Sequence, residues 1–172
     1  HFVPLAGTAV DTADFRLIKS DNDRYTLFVL NDIHLTNTPA QQDIRQFREK
    51  FVPDFRETLR TTSGKTYALT LGDMTTDSRW YRNNFGLPEY LKEMERIPSL
   101  PIFHAMGNHD NDPYFAGDFA AEAAYRKALG PTYYSFDVGE VHYVMLDNTV
   151  YINTGGTEGS MGKRNYHSYV TD

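Results

Sequence analysis

The chain has 172 residues with a formal net charge of -6, 40% hydrophobic and 23% charged residues, and no cysteine. That is enough for one domain with its own core, since a chain of this length buries roughly 70% of its unfolded surface. The composition excludes disulfides, thiolate metal sites and a membrane-spanning apolar run, and the acidic balance disfavours a broad nucleic-acid-binding face.

Residues 1–24 mix polar and small residues and read as a lead-in segment. The start, HFVPLAGTAV, lacks the basic and apolar parts of a signal peptide and begins with His, which suggests a mature or trimmed chain. Tyr25–Leu30, YTLFVL, is a continuous apolar run, as expected for a strand covered on both faces, and it ends at Asn31-Asp32-Ile33-His34. Apolar residues then recur at Ile44, Phe47, Phe51, Phe55 and Leu59, with helical spacings of 3, 4, 4 and 4. Pro53 inside that pattern predicts a kink or a split. A second apolar run, Tyr67–Leu71, ends at Gly72-Asp73. Leu87, Leu91, Met94 and Ile97 predict another helix, which Pro98 ends. A third strand, Ile102–Met106, leads into Gly107-Asn108-His109-Asp110. Strands alternating with helices predict parallel strands joined by right-handed crossovers. Ala120–Leu129 reads as a helix stopped by Gly130. Tyr133–Val138 and Val141–Asp147 read as a hairpin around Gly139-Glu140. The tail, Tyr151–Asp172, is rich in Gly, Thr, Ser and Asn and reads as loop.

The three parallel strands thus end, in order, at Asp32-Ile33-His34, at Gly72-Asp73 and at Gly107–Asp110. Ligands of open α/β sheets bind outside the carboxyl ends of the strands, so all three polar clusters converge on one edge. One polar turn is commonplace, whereas three successive strand ends carrying metal-ligand side chains are not. Taken singly, Asp32 could cap a turn, Asp73 could be a solvated strand end, and Asn108 could simply tolerate a left-handed turn. Taken together, carboxylate, amide and imidazole donors suit zinc, manganese or iron. Two divalent cations carry four positive charges, of which Asp32 and Asp73 neutralise two. The remaining charge attracts a phosphate ester, and such a metal pair can clamp both oxygens of an in-line displacement.

These residues resemble the calcineurin-like metallophosphoesterase family, whose pattern runs D-x-H, G-D, G-N-H-D or G-N-H-E, and later G-H-x-H. Asp32-Ile33-His34, Gly72-Asp73 and Gly107–Asp110 match in order and spacing, and Asp77 resembles the acid of an extended G-D-x-x-x-D form. The hairpin YYSFDVGEVHYVMLD is similar to the stretch that follows in the family, so the resemblance covers about residues 25–150. It implies an α/β fold of the metallophosphoesterase-like layered kind, two packed β-sheets flanked by helices, over a catalytic domain from 25 to 172. It implies that Asp32 and His34 hold a first metal, that Asp73 bridges, and that Asn108 holds the second. His109 would face the transferring phosphate and stabilise or protonate the leaving oxygen, with Asp110 orienting its imidazole, and a metal-activated water would attack. No G-H-x-H occurs, and no apolar strand ending in His follows residue 150. The expectation is therefore a domain cut short at its C-terminal side, giving mainly the N-terminal half of the fold. Such a fragment would hold at most one of two divalent ions (Mn, Fe or Zn), would be inactive by itself, and would tend to self-associate.

Other residues have weaker arguments. His104 and His142 lie within strands, where packing is the favoured reading, with a role behind the metal site open for His104. His1 and His167 carry no argument. Arg79 and Arg82, in the segment Asp77–Arg82, are candidates for lining a substrate cleft, and an exposed loop is an equal alternative. Two functions stand: metal-dependent hydrolysis of a phosphate mono- or diester, or a non-catalytic interaction domain (or inactive fragment) on the same fold. The absent Cys and polar tail suggest an exported or periplasmic bacterial protein.

Overall fold

A computed structural model describes residue 7 and residues 19–154, 157 and 159–169. Most of the expected lead-in, with His1, lies outside the described residues. The first strands are β1 (Tyr25–Leu30), β2 (Lys65–Thr70) and β3 (Ile102–His104). They form one three-stranded parallel sheet in the order β1-β2-β3, with Leu30 opposite Thr70 and Thr70 opposite His104. This is the mixed α/β architecture that alternating strands and helices predict.

One face of the strands is covered along its length and the other in part, which is why they read as unbroken apolar runs. Side chains alternate along a strand. On one face Phe28 meets Phe55 edge to face at 5.0 Å. That face carries the main core, which includes Leu35, Phe47, Phe55, Met74, Trp80, Leu87, Tyr90 and Tyr125. The helices there are α1 (Gln42–Gln46), α2 (Val52–Thr61) and α3 (Leu87–Met94), and, after a short α4 (Asp118–Ala121) that meets the tail of the chain, α5 (Ala123–Ala128). On the other face lies the hairpin of β4 (Tyr134–Val138) and β5 (Val141–Met145). Phe136 stacks on Phe103 at 3.5 Å, and the Tyr25 and Tyr143 hydroxyls are 2.7 Å apart. The hairpin covers the amino ends of the strands, while Val29 and Leu71 at the carboxyl ends stay half exposed.

The kink or split expected at Pro53 takes the form of a change in helix type within one contiguous helical run. Between α1 and α2 the chain makes a π-helical turn, Phe47–Phe51, and Pro53 sits in the first turn of α2. Proline has no N–H to give to the preceding turn and is tolerated at a helix start. The helix predicted over Ala120–Leu129 is instead two short pieces meeting at Glu122, ended by Gly130 at φ 109°.

The tail expected to be loop contains a second hairpin, β6 (Thr149–Thr154) paired antiparallel with β7 (Lys163–Ser168). Its alternation is carried by a buried Tyr151 and a buried Asn153, and the polar identity of Asn153 hid the period. His167 lies in β7 opposite Val150. His142 is not packed as expected: it is exposed on β5, 2.7 Å from Asp137 across the hairpin. Among the described residues no helix is long and apolar enough to cross a membrane.

His104 does pack. Its ring lies edge-on to Tyr90 at 6.0 Å, and its Nδ1 is 3.0 Å from Thr70 Oγ1. Desolvation pushes its pKa down to about 4. The unfolded chain protonates this imidazole at about 6.5, so it binds more protons than the folded protein between those values. The contribution to stability is complete above about pH 6.5 and is lost as pH falls towards about 4. Urea unfolding should show wild type losing about 2–3 kcal/mol relative to His104→Phe over that window. Parallel stability curves would contradict the assignment.

Candidate metal centre

Each predicted ligand sits where a parallel strand ends. Asp32, His34 and Asp73 are all in the left-handed region, with φ of 48°, 45° and 51°. This is unusual for residues other than glycine and turns the side chains sharply out of the strand direction. After β1 and β2 the two loops stay zipped together: His34 N–H donates to Asp73 O at 2.9 Å and Leu35 N–H to Met74 O at 3.0 Å. The side chains follow. His34 Nε2 lies 3.7 Å from Asp32 Oδ1 and 3.6 Å from Asp73 Oδ2, and its Nδ1 lies 3.4 Å from Thr76 Oγ1.

The third loop is stitched to the second. His109 N–H donates to Asp73 Oδ1 at 2.9 Å. One ligand-type atom from each of His34, Asp73 and His109 lies within 4.8 Å of the others, and the two imidazoles are 5.0 Å apart, edge to face. Asn108 opens the 3-10 turn Asn108–Asp110 that carries His109. Imidazole and carboxylate oxygen donors at one partly exposed point fit a borderline divalent cation such as zinc, manganese or iron. The Thr76 hydroxyl behind His34 is the kind of outer partner that orients a ligating ring.

Asp110 does not orient His109. It is fully buried, and its carboxylate accepts N–H bonds from Gly107, Met74 and Thr75 at 3.0, 3.0 and 3.2 Å. Burial pushes its pKa up to about 7 against those hydrogen bonds, which pull it down. Asp110 therefore knits the second and third loops together, because its short 3-10 turn folds the carboxylate back onto its own loop.

The carboxylate that holds His109 is Asp77, 1% exposed, whose Oδ1 is 2.9 Å from His109 Nδ1. Burial raises the Asp77 pKa, but hydrogen bonds from His109 and Arg164 outweigh it and the net shift is downward. The same hydrogen bond to Asp77 is the main reason that the His109 pKa is raised. The G-D-x-x-x-D spacing carried the signal for Asp77. Arg164, which ion-pairs with Asp77 Oδ2, had none, because it stands in the tail read as loop. Of the cleft candidates, Arg79 ends the half-buried turn that Asp77 begins and Arg82 is exposed, and neither pairs with a carboxylate among the described residues.

Two glycines let the loops meet. A Cβ on Gly72 would lie 2.7 Å from Gly107 Cα, and one on Gly107 would lie 2.3 Å from Asp73 N and Asp73 Oδ1. Gly107→Ala should destabilise the fold by about 1–3 kcal/mol through this backbone clash. Gly117→Ala meets nothing within 4 Å and should stay within about 0.5 kcal/mol of wild type. Denaturant midpoints of the two variants decide it, and equal midpoints would refute the close approach.

A family model described as calcineurin-like phosphoesterase matches residues 25–170. Comparison with curated proteins and with solved structures gave no match to either.

Proposed function

Since the chain belongs to the calcineurin-like phosphoesterase family, we propose that it carries out metal-dependent hydrolysis of a phosphate mono- or diester at the edge where β1, β2 and β3 end. The observation that carries this reading is the convergence of His34, Asp73 and His109 within 4.8 Å, from three separate strand ends. Asp32, His34 and Asp73 would hold one divalent cation, and Asp73 with Asn108 a second. Bound there, the cations supply an activated water and positive charge for the phosphate.

The chain's own groups do the rest. Asp73 is suited to a shared position, because its Oδ1 is tied to the third loop while its Oδ2 faces His34. His109 has its Nδ1 engaged by Asp77, which leaves Nε2 to donate a proton to the departing oxygen. Arg79, half-buried in the turn that Asp77 begins, and the exposed Arg82 would be the cations to receive a phosphate oxygen.

Three donors at the first position against two at the second mean one tightly held ion for the 172-residue chain. Elemental analysis after gel filtration should give at most one divalent ion per chain. Two would mean that further donors come from residues given no role here.

In the whole protein, an aryl phosphate should be hydrolysed only with added divalent metal. His109→Ala should lower kcat by about 10²–10⁴-fold, the worth of a positioned acid-base group, and leave metal content unchanged. Loss of metal in that variant would make His109 a ligand. Absence of hydrolysis by metal-loaded wild type would remove the enzymatic reading.

A further inference from the structure

We infer that Arg164, delivered by the β6–β7 hairpin, is a positioning residue for His109, acting through Asp77. The inference rests on the role proposed above for His109 and extends it to a part of the chain well removed in sequence. The two oxygens of Asp77 have different partners. Oδ1 accepts from Ser78 N–H at 2.7 Å and lies 2.9 Å from His109 Nδ1, while Oδ2 accepts from Arg164 Nη1. A carboxylate this deeply buried is costly unless its charge is balanced and both oxygens are engaged. Arg164 balances the charge and engages Oδ2, and so holds Asp77 in the rotamer whose Oδ1 meets the imidazole.

The hairpin is anchored so that it can do this. Arg164 stands opposite Asn153 in the β6–β7 register. Asn153 is fully buried, and its Nδ2 donates to Pro113 O at 2.5 Å and Phe115 O at 3.0 Å. Its N–H reaches Ala116 O at 3.2 Å, and the Tyr151 N–H reaches Asp118 Oδ1 at 2.6 Å. The segment that follows the His109 turn therefore grips β6, and β6 places β7 and its Arg164 over Asp77. The order of this hairpin sets the order of the imidazole.

The test uses the whole protein with two readouts: steady-state kinetics on an aryl phosphate, and the His109 Nδ1–H resonance in the metal-free protein at one fixed pH. Arg164→Gln should lower kcat by about 10–100-fold, as losses of an outer partner do, with KM and metal content unchanged. It should also abolish the slowly exchanging Nδ1–H signal expected of wild type. Asp77→Asn should have the same two effects, and Arg164→Gln added to Asp77→Asn should change nothing further. The double variant also covers the case in which Arg164→Gln fails to fold by stranding a buried charge, because Asp77→Asn removes that charge. An Nδ1–H signal absent from wild type or retained in Arg164→Gln, or a further loss in the double variant, overturns the inference. Inactive wild type with the expected resonance behaviour would instead remove the enzymatic reading and leave the Arg164–Asp77–His109 linkage standing.

Discussion

The contact on which the site depends is that of the Gly72 backbone with the Gly107 backbone, at a distance where neither position has room for a Cβ. Two parallel strands lie side by side because their amides pair, but nothing in that pairing forces the loops beyond them together. The missing side chains permit the approach, and hydrogen bonds between the loops hold it. With the second and third loops in contact, Asp73 reaches the His109 N–H and Asp110 reaches the N–H groups of Met74 and Thr75. Each loop thereby supplies an acceptor for the other's orphan donors, and buried backbone groups that would otherwise lack partners are satisfied.

That stitching offsets a conformational cost. Three of the putting-together residues, Asp32, His34 and Asp73, are left-handed, a conformation that costs of order 1–3 kcal/mol at a non-glycine position. Such backbone persists only where the surroundings over-determine it. Here they do: the inter-loop bonds from His34 and Leu35 fix the first loop to the second, and the carboxylates fix the second to the third. The result is a cluster of imidazole and carboxylate atoms that the inter-loop bonds hold at the strand ends.

Asp77 shows the same logic with charge. It lies almost fully buried between an imidazole and a guanidinium. A buried ion pair adds little net stability when compared with apolar residues of the same size, but removing one member leaves an uncompensated charge. Its worth is in specificity of arrangement: one carboxylate can face both partners in only one orientation.

The residue order alone determined the parallel sheet, because apolar runs of strand length alternate with patterns of helical period, and it put Asp32, His34, Asp73 and Asn108 at the sheet's carboxyl edge, because each follows a run that must end. The irregular helical turn before Pro53 was legible for the same local reason, a missing N–H. Tertiary structure decided what lies behind the donors. Whether Asp110 or Asp77 faces His109 depends on which way a short 3-10 turn folds a carboxylate, and no spacing rule states that. The strand character of β6 was masked because Asn153, buried on the inward face, makes its hydrogen bonds to a loop some 40 residues away in sequence. Arg164 had no local signal at all, since its partner Asp77 is 87 residues distant and is brought to it only when the hairpin docks. Period and chemistry are local properties that a sequence carries openly; the pairing of one buried charge with another exists only after the chain has closed.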